Sequence, residues 1–126
     1  MSGNTVDRSR TFLANGNLST KQFTFVKLGT TQNDVVNAVA GTDKTIGVLM
    51  NAPVDNDTAR VTLLSAEGTL RVIASTTIAI AAYITATTGG KAVTTASAGD
   101  IVCGVAIDAA TADGDVIEFM PTFFKF

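Results

Sequence analysis

Few residues in this sequence could do chemistry, and each arrangement of them fails on spacing or on a missing partner. Gly89-Gly90-Lys91 has the make-up of a loop whose backbone N–H groups and lysine cradle a phosphate. Such a loop needs Gly five residues before its second Gly and Ser or Thr after its Lys, and those places hold Thr85 and Ala92. A hairpin turn is the better reading. Asp55-Asn56-Asp57 and the set Asp108, Asp113 and Asp115 could offer oxygens to a hard cation. Neither has the spacing of a calcium loop or the bidentate Glu that closes one, so both read as solvated turns. Cys103 lies in an apolar run with no Lys or Arg close in sequence, and the chain contains no His. It reads as a buried, inert thiol. The absence of His removes every His-dependent triad and every His-ligated zinc or haem. A single cysteine removes any internal disulfide. No catalytic constellation and no cofactor or metal site emerges, and the chain reads as a protein that is not an enzyme.

The elements that would position side chains are strands. The chain has 126 residues, 46% of them hydrophobic, enough for one folded core. Its 20 Thr and 18 Ala, with only 16% charged residues, favour strands over solvent-facing helices. The net charge of −2 is uneven. Residues 1–27 carry Arg8, Arg10, Lys21 and Lys27 against Asp7 alone, and the remainder is acidic. That is too dispersed for the concentrated basic face of a nucleic-acid binder. The first ten residues are polar and carry no secretory signal. The longest apolar-rich run, Val72–Ile84, has 13 residues and is too short to span a bilayer. The expectation is a chain that binds neither nucleic acid nor membrane.

Along the chain, residues 1–22 are polar and read as an extended N-terminal arm, leaving 23–126 as a β-rich domain. From Phe23 the pattern becomes strand and turn. A first strand begins at Phe23, and a short apolar run starts at Asp34. Thr45–Asn51 is a strand with Ile46, Val48 and Met50 on one face. Pro53–Asp57 turns into Ala59–Leu64, and Glu67-Gly68 turns into Thr69–Ala74. Residues 76–82 fit either a helical turn or another strand. Ala82–Ala86 and Ala92–Thr95 flank the Gly89-Gly90 turn, and Ile101–Ile107 and Val116–Met120 form a last hairpin. The prediction is a mainly β chain, a small barrel or sandwich of hairpins with an extended N-terminal arm and at most one short helix.

Ile46-Gly-Val-Leu-Met-Asn-Ala is echoed by Cys103-Gly-Val-Ala-Ile-Asp-Ala, each followed by an Asp-containing turn and a returning strand, Val61-Thr-Leu-Leu and Ile117-Glu-Phe-Met. Either two similar β units are present, or two hairpins resemble each other by chance. The aromatics gather at the ends. Phe12, Phe23 and Phe25 lie near the start, Phe119, Phe123, Phe124 and Phe126 near the finish, and only Tyr83 between. They could anchor an interface, or the two ends could pack together.

Two stretches resemble the head decoration, or cement, proteins of tailed bacteriophages. Thr45–Val72, from Thr-Ile-Gly-Val-Leu-Met-Asn-Ala to Leu-Arg-Val, looks like the central hairpins of lambda-type head decoration proteins. Ala82–Thr95 together with Gly104–Val116 looks like the end of a widespread phage cement family. The polar N-terminal segment and the Phe-rich tail depart from that pattern. The resemblance implies a homotrimer on the outer surface of the capsid, made in the host cytoplasm, that bridges neighbouring copies of the major capsid protein and stabilises the mature shell. Beside it stands another virion β module, such as a tail-tube, fibre or head-completion protein. Within that reading Arg8, Arg10, Phe12 and Leu13 are expected to grip the capsid. Phe123, Phe124 and Phe126 are expected at a subunit or capsid interface.

Overall fold

The computed structural model describes residues 9–64, 68–95 and 98–125, and side chains up to residue 122. Five strands, β1 (Ser9–Ala14), β2 (Phe25–Leu28), β3 (Asp34–Asn37), β4 (Thr45–Leu49) and β5 (Thr58–Leu63), close into a barrel in the order β1-β3-β2-β4-β5. Five more, β6 (Leu70–Ile73), β7 (Tyr83–Ala86), β8 (Ala92–Thr94), β9 (Ile101–Ala106) and β10 (Val116–Lys125), form a second sheet in the order β6-β10-β9-β7-β8. The mainly β chain of hairpins is what the composition and turn spacing predict. The helical element among the described residues is a single 3-10 turn at Thr88–Gly90. Residues 76–82 are neither of the alternatives left open above, since Ile78 makes only an isolated bridge to Ala110.

The second sheet repeats the barrel strand for strand. Val26 opposite Gly47 on β2 and β4 is matched by Ile84 opposite Gly104 on β7 and β9. Leu49 opposite Val61 is matched by Ala106 opposite Phe119, and Phe12 opposite Ala59 by Val72 opposite Ile117. Even the parallel pair Ala14 and Val35 has its counterpart, a single parallel bridge between Ala74 and Ala92. The turns follow suit. The Ala14 N–H donates to the Asp57 carbonyl and the Ala74 N–H to the Asp115 carbonyl, at 2.9 and 2.7 Å. Phe23 and Ala81 both hold the left-handed region at φ 66° and 71°, and their N–H groups donate to Leu49 and Ala106.

The sequence echo is therefore β4 of one unit and β9 of the next, and the reading of two similar β units is the correct one. The returning strands pair differently from the sequence alignment, because the counterpart of Val61 is Phe119 rather than Ile117. A shift of two residues keeps the same side chains facing inward, which is why the pattern tolerates it. The shared glycines mark close approach. A Cβ on Gly47 would overlap the Thr62 carbonyl, and one on Gly104 the Met120 carbonyl and the Phe119 ring.

The units differ in closure. The first surrounds its own core, with Phe12, Leu18, Val26, Val35, Leu49 and Val61 inside. The second leaves β6 and β8 joined at one point, and the β2–β4 wall of the first unit covers its open side. That wall is buried on both faces. Val26 and Leu49 point into the barrel, whereas Phe25 and Val48 belong to the second core with Ile84, Ile117 and Phe119. Strands buried on both faces need consecutive apolar residues, and Phe25-Val26 and Val48-Leu49 supply them. Ile46 does not share the face of Val48 and Met50 as expected. The β2–β4 register slips between Val26 and Lys27, leaving Ile46 as the extra residue of a bulge that turns it toward the barrel core.

The junction is held by an edge-to-face pair, Phe25 against Phe119, with ring centroids 5.6 Å apart and planes at 74°. Backbone bonds frame it. The Ile73 N–H donates to the Phe23 carbonyl at 2.8 Å and the Ile101 N–H to the Gly41 carbonyl at 2.7 Å. Gly90, at φ 77°, sits so close to the Phe25 carbonyl and the Asn37 amide that a Cβ there would overlap both.

The expected arm is corrected in part. Ser9–Ala14 is a barrel strand, and Phe12 and Leu18 are only 4% and 5% exposed. The segment reads as polar because β1 alternates, hiding Phe12 and Ala14 between exposed Thr11 and Leu13. The domain thus takes in residues 9–22 as well, and residues 1–8 lie outside the described residues.

Replacing Phe119 with Ala removes the ring that joins the two units. Phe119→Ala is expected to lower unfolding stability by about 3–5 kcal/mol in chemical denaturation. A loss within a few tenths of a kcal/mol would show that the junction is not where the stability lies.

Candidate functional site

Two surfaces stand out. The first is the mouth of the barrel, at the end where β1 begins and β5 finishes. There Leu28, Ile46, Leu63 and Leu64 line an open groove of about 700 Å³, bordered by Lys27, Lys44 and Thr45. Leu28 is 56% exposed, an unusual state for a residue on the inward register of a barrel strand. Lys27 pairs with Asp43 at 3.0 Å, and Lys44 is exposed. Burial pushes the Asp43 carboxyl up, but hydrogen bonds from the Val39 and Ala40 N–H groups and from Lys27 outweigh it and hold its pKa below the ordinary value. On the far side of the mouth the Arg10 guanidinium lies 4.7 Å over the Phe12 ring and donates to Asn33 Oδ1 at 3.0 Å.

The second surface is the outward face of the second sheet. Met120 stands opposite Val105, and Val105 opposite Tyr83, giving an apolar row across β10, β9 and β7. Tyr83 is 45% exposed, and Ile107, Val116 and Met120 are exposed as well. Glu118 and Asp108 bring negative charge to this face. Glu118 accepts from the Thr69 hydroxyl, and its N–H donates to Asp108 Oδ2 at 3.1 Å.

The residues expected to grip a partner are placed as follows. Arg8 and Phe126 lie outside the described residues. Arg10 and Phe12 are brought together, but as a cap stacked on a barrel core residue, so Phe12 is not a free apolar anchor. Leu13 is 48% exposed on the outer wall. Phe123 and Phe124 are on β10, where Phe124 pairs with Val102, and their side chains lie outside the described residues.

The acidic turns have structural work. Asp55 Oδ1 accepts from the Gly16 N–H at 2.8 Å. Asp115 accepts from the Thr111 N–H and hydroxyl and the Ala112 N–H, bonds that lower its pKa. Lys91 pairs with Asp113 at 2.8 Å, and Gly90 packs on β2, so that loop is a turn fastened at both ends. Among the described residues no group of three His, Cys, Asp or Glu side chains is placed to hold a metal, and no helix is long and apolar enough to cross a membrane. Cys103 is fully buried, and desolvation pushes its thiol up to about 12, against the opposing effect of the Thr45 side chain.

The exposed row at Tyr83 and the groove at Leu28 are absent from the sequence reading. A signal for the row existed: Tyr83 occupies in β7 the place that Phe25 occupies in β2, since each stands opposite a Val of the echoed segment, Val105 and Val48.

No protein-family model matches the sequence, and no curated protein matches it. Among solved structures the chain is similar to the head fiber gp8.5 N base of bacteriophage phi29, with a TM-score of 0.70 and 19% sequence identity. The likeness covers 94% of this chain and 96% of that one, so the whole two-unit fold is shared.

Two outcomes are expected from these environments. Because the folded pKa of Asp43 is depressed, its contribution is complete above the ordinary value of 3.8 and is lost as pH falls through the folded value. Asp43→Asn should therefore cost about 1 kcal/mol at neutral pH, and the gap to the parent chain should close in denaturation curves recorded well below 3.8. Cys103 should resist a thiol reagent in the folded chain and react on addition of denaturant; rapid labelling of the native protein would contradict its burial.

Proposed function

We propose that this chain is a structural protein of a tailed-phage virion, seated on the outer surface of the head against the major capsid protein. The observation that supports it most is the fold shared over nearly the whole length with the base of a phage head fibre. The surfaces agree with a binding role. Exposed apolar rows and an apolar groove are what a protein that adds contacts must present, and such a role asks nothing of reactive side chains. In the decorating form of this reading, the chain binds the mature shell and not its precursor. It then stabilises that shell by about 2.7 kcal/mol per site at a hundredfold excess over Kd. Several linked contacts add avidity beyond that. The gripping residues in this reading are Arg8, Arg10 and Leu13 around the start of β1, with the Phe123, Phe124 and Phe126 tail.

The neighbour also favours a second reading, in which the domain is the base of a head fibre rather than a clamp between capsid subunits. Both place it on the head, and they differ in what the shell gains.

The test is addition of the purified chain to expanded and to immature shells, followed by particle counting and heat challenge. A decorating protein adds to expanded shells only, at hundreds of copies, and raises their melting temperature. A fibre base binds without stiffening the shell. No binding to either shell overturns both readings. Removing residues 2–8, which spares β1, or making Arg10→Glu should weaken binding at least tenfold if the start of the chain is the grip.

A further inference from the structure

The two units dock asymmetrically, so each half of the contact between them has an equivalent on the other unit that takes no part in it. Within the chain, the first unit offers the outward face of its β2–β4 wall, with Phe25, Val48 and Met50, and the second unit receives it. The receiving place is the mouth of the second unit. Cys103 and Ala86 there are the counterparts of Ile46 and Leu28, and Leu70 and Gly90 are the counterparts of Arg10 and Asn33. Gly90 lies directly against the Phe25 carbonyl, and Phe25 shares one core with Leu70, Ala86 and Cys103.

Each half of that contact recurs in the other unit. The face of the second unit equivalent to Phe25, Val48 and Met50 is Tyr83, Val105 and Ile107, of which Tyr83 and Ile107 are exposed and Val105 is half-buried. The mouth of the first unit, equivalent to the receiving place, is the open groove of about 700 Å³ lined by Leu28, Ile46 and Leu63. It opens on the β2–β4–β5 side, while the exposed Arg10–Asn33 hydrogen bond spans the other. Charge supports the match in part: Lys44 borders the groove beside a Lys27 that is paired with Asp43, and the face carries Asp108 and Glu118, with Arg71 opposite Glu118.

We propose that identical chains associate by continuing the docking found within each chain: the Tyr83 face of one subunit seats at the barrel mouth of the next. Tyr is suited to the position, because its ring fills an apolar groove while its hydroxyl stays at the wet rim. The contact joins two different patches, so repetition makes a ring when the rotation closes. The inference goes beyond the virion reading and does not depend on it.

Sedimentation of the full chain tests it, using one variant from each side. Tyr83→Lys disables the face, and Leu28→Glu or Lys44→Glu disables the groove. All three positions are well exposed, and unchanged thermal unfolding would confirm that the variants fold. The parent chain should sediment as an oligomer, and each variant alone as a monomer or with association weakened at least tenfold. An equimolar mixture of Tyr83→Lys and Leu28→Glu should recover a one-to-one complex, because one intact face and one intact groove remain. A monomeric parent chain, variants that keep the parent's mass, or a mixture that stays monomeric would each overturn the proposal.

Discussion

The seating of the Phe25–Val48 wall against the second sheet is the contact on which the rest of the structure depends. The barrel could bury its own core alone. The second sheet could not, because β6 and β8 meet only at the Ala74–Ala92 bridge and would leave Phe119, Ile84 and Ile117 facing water along an open side. Burying a side chain such as Phe or Val contributes about 1.5–3 kcal/mol, and an aromatic pair adds about 0.5–1.5 kcal/mol beyond its area. A handful of residues at one seam therefore supplies an energy comparable to a typical domain's whole net stability. The seam also explains the glycines. Gly104 admits the Phe119 ring, and Gly90 admits the Phe25 backbone, so the ring contact needs two positions without side chains.

The left-handed residue before each wall belongs to the same economy of form. A non-glycine residue at positive φ costs on the order of 1–3 kcal/mol and persists only where its surroundings require it. Phe23 and Ala81 hold that conformation at equivalent places, so the turn belongs to the unit and is no local accident. In the first unit it directs the Phe23 carbonyl to the Ile73 N–H, which fastens the edge strand β6 to the wall. One strained residue thereby helps to protect an edge that would otherwise be open to pairing. Abundant Ala and Thr fit this architecture, because two thin cores between closely spaced strands have little room for larger side chains.

The strands and their turns were legible in the sequence, since they rest on local alternation and on Pro, Gly, Asn and Asp at bends. The repeat was half legible. Gly47 and Gly104 announced it, but the two-residue shift of the returning strand hid the equivalence of Val61 and Phe119. The role of residues 9–22 was misleading for a definite reason. β1 contributes only Phe12 and Ala14 to the core, and a strand with two inward side chains leaves little periodic signal in a polar stretch. The Tyr83 row was legible only through the echo, which puts Tyr83 in the place of Phe25 opposite a Val of the repeated segment. The groove was not legible at all, because it exists through the packing of non-local elements, which has no signature in one sequence.

The absence of His gives these surfaces a property that composition alone would not reveal. Between the carboxylate range and the range of Cys and Lys, the chain has no side chain with an ordinary titration point. The remaining exception would be a strongly shifted group, and the thiol of Cys103 is pushed away from neutrality, toward about 12. In the proposed association, contacts between the groove and the sheet face would weaken with ionic strength, through screening of Lys27, Lys44, Asp108 and Glu118.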